Sequence, residues 1–77
     1  MQPVKKFKVE NVGVSVWSNE RQVNGEPREI QSVTIQKGFK DKEGNWQNTA
    51  SLNARDLPKA ILAMQKAYEY LVLKEQA

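Results

Sequence analysis

The segment Val12-Gly13-Val14-Ser15-Val16-Trp17 constrains this chain more than any other. Successive side chains of an extended strand point to opposite faces. Val12, Val14 and Val16 therefore take one face, and Gly13, Ser15 and Trp17 take the other. A strand with three β-branched residues on one side and small polar ones on the other belongs to a sheet with one buried face. Upstream, Phe7 and Val9 alternate with lysines and carry the extended reading back over residues 4–18. Glu10-Asn11 between the two pieces reads as a turn or a bulge.

A second extended run covers residues 29–40, with Val33 and Ile35 on one side and Ser32, Thr34 and Gln36 on the other. Asp41 followed by Gly44 is a turn signature, so Lys40–Asn45 reads as a hairpin tip leading to a return strand over residues 46–52. Residues 19–28 are polar and hold Asn24-Gly25 and Pro27, which predicts a loop longer than a tight hairpin turn.

From residue 53 the period changes to that of a helix. Asn53 or Asp56 supplies the cap and Pro58 falls in the first turn. Leu57, Ile61, Met64, Tyr68 and Leu71 recur at steps of four and three, a stripe expected to face the core. Leu62, Tyr70 and Leu73 lie off that stripe and suit an isologous helix-to-helix contact across a two-fold axis. The expected fold is α+β: an antiparallel three- to four-stranded sheet followed by one C-terminal amphipathic helix (β-β-β-α). It forms one domain over residues 1–77, with the sheet at about 5–52 and the helix at about 57–74, and dimerisation enlarges a small core.

The chain has 77 residues and contains neither cysteine nor histidine. Disulfides, cysteine–zinc sites, catalytic triads and histidine proton shuttles are therefore excluded. The carboxylates are scattered, the serines have no base partner in view, and the glycines are isolated rather than gathered in a phosphate loop. No enzyme, metal or cofactor is expected. No apolar run approaches the roughly 20 residues of a membrane span, and no apolar segment follows the first lysines as in a secretory signal. The expected location is cytoplasmic or nucleoid-associated.

Binding on the open sheet face is the function these residues suit. The net charge is +3. Trp17 has outward parity, and Phe39 and Trp46 flank the hairpin tip. Lys37, Lys40 and Lys42 alternate with these two, and Lys6 and Lys8 lie near the start. Aromatic rings give stacking platforms for unpaired bases, and lysines follow the phosphates. Phe39 shares parity with Val33 and Ile35, and Trp46 with Ala50 and Leu52, so a core role stands beside the binding role for both.

The order Phe7-Lys-Val-Glu-Asn-Val-Gly-Val-Ser-Val-Trp17, then Ile35-Gln-Lys-Gly-Phe-Lys-Asp-Lys-Glu-Gly-Asn-Trp46, then Ser51-Leu-Asn and a final helix resembles the transcriptional positive-cofactor-four family. Whirly proteins use a related architecture. The resemblance implies a homodimer packed partly through its helices, with single-stranded DNA across β-ribbons. Phe39 would occupy the place of a base-stacking aromatic, and Gln36 a place often basic in the family. The return strand Gln47-Asn48-Thr49 lacks the family's basic residues. The expected partner is a single-stranded nucleic acid, DNA rather than RNA, bound with little sequence specificity. The alternative is a protein-interaction module that docks through the open sheet or the helix back.

Overall fold

A computed structural model describes residues 2–73. Four strands, β1 (Lys5–Val9), β2 (Val12–Val23), β3 (Glu26–Lys40) and β4 (Trp46–Thr49), form an antiparallel open sheet in the order β1-β2-β3-β4. A 3-10 turn, Ala54–Asp56, leads into the single helix α1 (Leu57–Val72). The fold is α+β, with four strands followed by one helix.

Each strand joins the next by a local turn, and turn chemistry sets the register. Glu10-Asn11 is a two-residue turn, with Val9 opposite Val12 and Glu10 at φ 54°. Asp41 organises the turn between β3 and β4. Its Oδ1 accepts the backbone N–H groups of Glu43 and Asn45, both at 2.9 Å, and Gly44 takes φ 86°. These donors, led by Asn45, hold the Asp41 carboxyl below its ordinary value.

The expected loop at residues 19–28 is instead strand. β2 and β3 pair without interruption from Val12 opposite Lys37 to Val23 opposite Glu26. Only Asn24 and Gly25 lie between them, at φ 54° and 80°, which is the left-handed pair that a tight hairpin requires. The return strand also ends earlier than expected, at Thr49.

Facing positions across the ladder share a side of the sheet. Val12, Val14 and Val16 stand on the helix-bearing side with Phe7, Val9, Val33 and Ile35. α1 packs on β1 and β2. The residues it buries are Ala60, Ala63 and Ala67, which let its backbone approach the valines closely. Phe7, Val9, Ile35 and Leu71 close the edges of this core. The expected core stripe is therefore misplaced by about one residue step around the helix. Leu57, Ile61, Met64 and Tyr68 are exposed, and only Leu71 of that set packs inward.

Ion pairs fix the helix start. Lys37 donates to Asp56 Oδ2 at 2.7 Å, and the same oxygen accepts the Asn53 N–H at 2.7 Å. The Lys37 ammonium, more than any other group, holds the Asp56 carboxyl below its ordinary value. Lys59 reaches Glu10 Oε2 at 2.7 Å and so ties α1 to the β1–β2 turn.

Candidate nucleic-acid interface

With one helix on one face, the other face of the sheet stays open. The register places Lys6, Gly13, Ser15, Trp17, Thr34 and Gln36 on that open face, together with Lys8, Gly38, Lys40, Trp46 and Asn48. A groove of about 540 Å³ runs across it, lined by side chains that include Lys6, Lys8, Gln36, Trp46 and Asn48.

Glycine makes the groove. A Cβ built on Gly13 would meet nothing within 4 Å, so the middle of β2 presents bare backbone between Lys8 and Gln36. At Gly38 the freed space is filled. The Trp46 ring lies 3.8 Å from where a Cβ would stand, and Asn48 Oδ1 is at the same distance. Trp46 is thereby laid against the sheet while it remains 67% exposed. The Lys40 ammonium stands 5.6 Å from its ring centroid, within cation–π range.

Trp17 is fixed by a different device. Its indole N–H donates to Thr34 Oγ1 at 2.9 Å, which holds the ring across the β2–β3 pair. Two tryptophans thus stand on one face, Trp46 at the β4 edge and Trp17 on β2 one residue past the end of the β1 pairing. Lys6 and Lys8 occupy the β1 edge. Among the described residues, Lys6, Lys8, Gln36 and Asn48 have no side-chain hydrogen bond to the protein, so their polar ends are free for a ligand. The arrangement is one of two oriented rings with unpaired cations at the rim.

Six of the expected site residues, Lys6, Lys8, Trp17, Gln36, Lys40 and Trp46, are brought together on this face. Lys42 is exposed in the β3–β4 turn, beside the face rather than on it. Lys37 and Phe39 fall on the helix-bearing side, because the ladder from Lys37 opposite Thr49 to Lys40 opposite Trp46 continues without a bulge. Lys37 is committed to Asp56, with its side chain only 14% exposed. Asn48, Ser15 and Gly13 join the site without having been expected there. The signal for Gly13 and Ser15 was the small-residue parity opposite the three valines, and for Asn48 its shared parity with Trp46 on the return strand.

Of the residues expected at a dimer contact, Leu62 on α1 and Leu73 just past its end are exposed. Tyr70 is partly engaged within the chain, edge-on to Phe7 with centroids 6.1 Å apart. Among the described residues no helix is long and apolar enough to cross a membrane, and no three acidic side chains gather as a metal site would need.

No protein-family model, curated protein or solved structure matches the chain.

Proposed function

We propose that the open sheet face binds single-stranded nucleic acid, with DNA preferred, through base stacking and phosphate contacts and with little sequence specificity. The observation that carries this reading is the coincidence of the groove with Trp46. A ring packed beside Gly38, two-thirds exposed and within cation–π range of Lys40, borders a groove lined by Lys6, Lys8, Glu10 and the bare backbone of Gly13. Every base has a π-face, so such a platform accepts any of them. An open channel does not enclose a small substrate, and its free groups are cations and amides rather than a nucleophile with a base. Both features favour binding over catalysis. The cytoplasm or a nucleoid would supply the ligand.

We also propose that the binding unit is a homodimer. The largest fully buried side chains are three valines, a thin core for a chain of this length. Leu57, Ile61, Met64, Tyr68 and Val72 meanwhile form an exposed stripe along α1. Tyr70 faces β1 on one flank of the helix, so this stripe lies on the other flank, toward the uncovered Val33 and Phe39 of β3. The stripe runs the length of the helix and carries no charge, which suits an antiparallel copy of itself. A second copy is also the one partner present whenever the chain folds.

The binding reading is tested by backbone amide NMR of the protein titrated with an unstructured oligonucleotide. The expected shifts fall on Gly13, Ser15, Gly38 and the Trp17 and Trp46 indoles, and leave Ala60, Ala63 and Ala67 in place. Shifts confined to α1, or none at all, would overturn it.

A further inference from the structure

Beyond residue 16 of β2 and residue 33 of β3 the sheet narrows to two strands. β1 pairs only with Val12–Val16 and β4 only with Lys37–Lys40, so residues 17–32 form a free two-stranded arm. The molecule is correspondingly long, 49 Å against 30 and 20 Å.

The register of this arm sets like charge against like charge. Arg21 stands directly opposite Arg28, and in the next rung Glu20 stands directly opposite Glu29. Adjacent rungs point to opposite faces, so one face of the arm carries the arginine pair and the other the glutamate pair. Like charges directly opposite each other destabilise a ladder. A slip of one residue would place Glu20 against Arg28 or Arg21 against Glu29. The slip is barred by the two-residue Asn24-Gly25 turn and by the valines at the other end of β2, which it would turn out of the core. Two fixed points thus impose the two like-charge rungs, with Glu26 the acidic residue that shares the arginine face.

The arginine face has the same parity as Trp17, Ser15 and Gly13 along β2, and thus continues the open face beyond the groove. Four residues of antiparallel strand rise about 13–14 Å, so Arg21 lies about that far past Trp17. Among the described residues Arg21 has no ion pair. Arg28 reaches only the exposed Glu26, at 3.7 Å. On the opposite face Glu29 is engaged by the Ser18 hydroxyl.

We propose that Arg21 and Arg28 form a phosphodiester clamp that receives the strand leaving the groove past Trp17. A phosphate between the two guanidiniums removes their repulsion and uses their planar forks. The inference rests on the binding reading above and adds a direction to it: the strand runs from Trp46 through the groove to Trp17 and out along the arm.

The test compares the wild-type chain with R21A/R28A and with E20Q/E29Q, using labelled oligothymidylates of about 4 and about 16 nucleotides, a span of lengths over which a single groove and an extended path differ. R21A/R28A is expected to lose on the order of tenfold in affinity for the long oligonucleotide, with the salt slope reduced by about 0.7 for the one phosphate the pair neutralises. Its affinity for the short one is expected to match wild type. E20Q/E29Q makes an equal and opposite change in net charge on the other face and is expected to leave the salt slope for the long oligonucleotide unchanged. Circular dichroism of both variants should match wild type. Equal affinity and slope for wild type and R21A/R28A on the long oligonucleotide would overturn the clamp and leave groove binding intact. So would mirror-image effects of the two variants, which would mean a response to net charge alone. A wild-type chain that binds neither oligonucleotide would overturn the binding reading and the clamp together.

Discussion

Trp46 lies across Gly38, its Cε3 and Cζ3 each 3.8 Å from the position a Cβ on that glycine would take. The ring packs over this part of β3 at ordinary van der Waals distance. Trp46→Ala should weaken oligonucleotide binding by about 1–3 kcal/mol, roughly 5- to 150-fold. Because the ring is 67% exposed, stability should change by less than about 1 kcal/mol. Gly38→Val makes the sharper test. It improves β propensity, yet its γ-methyls displace the ring, so affinity should fall although Trp46 is retained. Fluorescence anisotropy of a labelled oligonucleotide reads both variants. Unchanged affinity in the two would remove Trp46 from the site.

Ala63 is fully buried where α1 meets β2. Enlarging it to Leu should separate helix from sheet and cost about 1–3 kcal/mol. For a domain of this size that lowers the melting temperature by about 4–8 °C per kcal/mol. Calorimetry showing no loss would contradict the alanine-faced packing.

Ile61 and Tyr68, 60% and 64% exposed on the same flank of α1, are the residues whose replacement should separate a dimer without harming the chain's own core. Wild type should sediment as a dimer at micromolar concentration, and I61E/Y68E as a folded monomer. Leu62→Glu, on the back of the helix and outside the stripe, should remain dimeric. Wild type that sediments as a monomer at all concentrations would refute the second copy.

The Lys37–Asp56 pair makes stability depend on acid. Asp56 titrates below its ordinary value of 3.8 in the folded chain, because the Lys37 ammonium and then the Asn53 N–H favour its charged form. Unfolding removes both partners, so the unfolded chain binds the proton more readily. The pair therefore contributes fully above the ordinary value, and the contribution is lost as pH falls through the depressed one. Urea unfolding followed from pH 7 down to pH 3 should show a decline in this lower range that Asp56→Asn makes shallower. A variant with the full wild-type pH dependence would assign the acid sensitivity elsewhere.

Much of the fold was legible because its signals are local. The Val12-Val14-Val16 alternation set the faces of β2, and Asp41 with Gly44 marked the β3–β4 turn. The arm was misread for a physical reason. Residues 19–28 pack against nothing, so they carry no apolar alternation, and the polar composition resembled a loop although Asn24-Gly25 encoded a tight hairpin. The helix was misread in the opposite sense. Its largest apolar residues were assigned to the core, but close approach to a valine-faced strand selects alanine, and the large residues were left on the flank. Lys37 had the spacing of a site lysine, and its commitment to Asp56, 19 positions away, is a tertiary fact. On the open face, Trp17 followed from strand parity, Lys6 and Lys8 from their place near the start of the chain, and Gln36 from the family resemblance. The arginine pair required the register of a hairpin the composition had concealed.

Both tryptophans stand on the face proposed to bind, so the most direct measurement is their fluorescence during titration with an unstructured single-stranded oligonucleotide at low and at moderate salt. Stacking on Trp46 and Trp17 should quench the emission saturably. The midpoint should move steeply to higher concentration with salt, as phosphate contacts release counterions. Emission that stays constant at both salt concentrations, with no change in oligonucleotide anisotropy, would contradict the account.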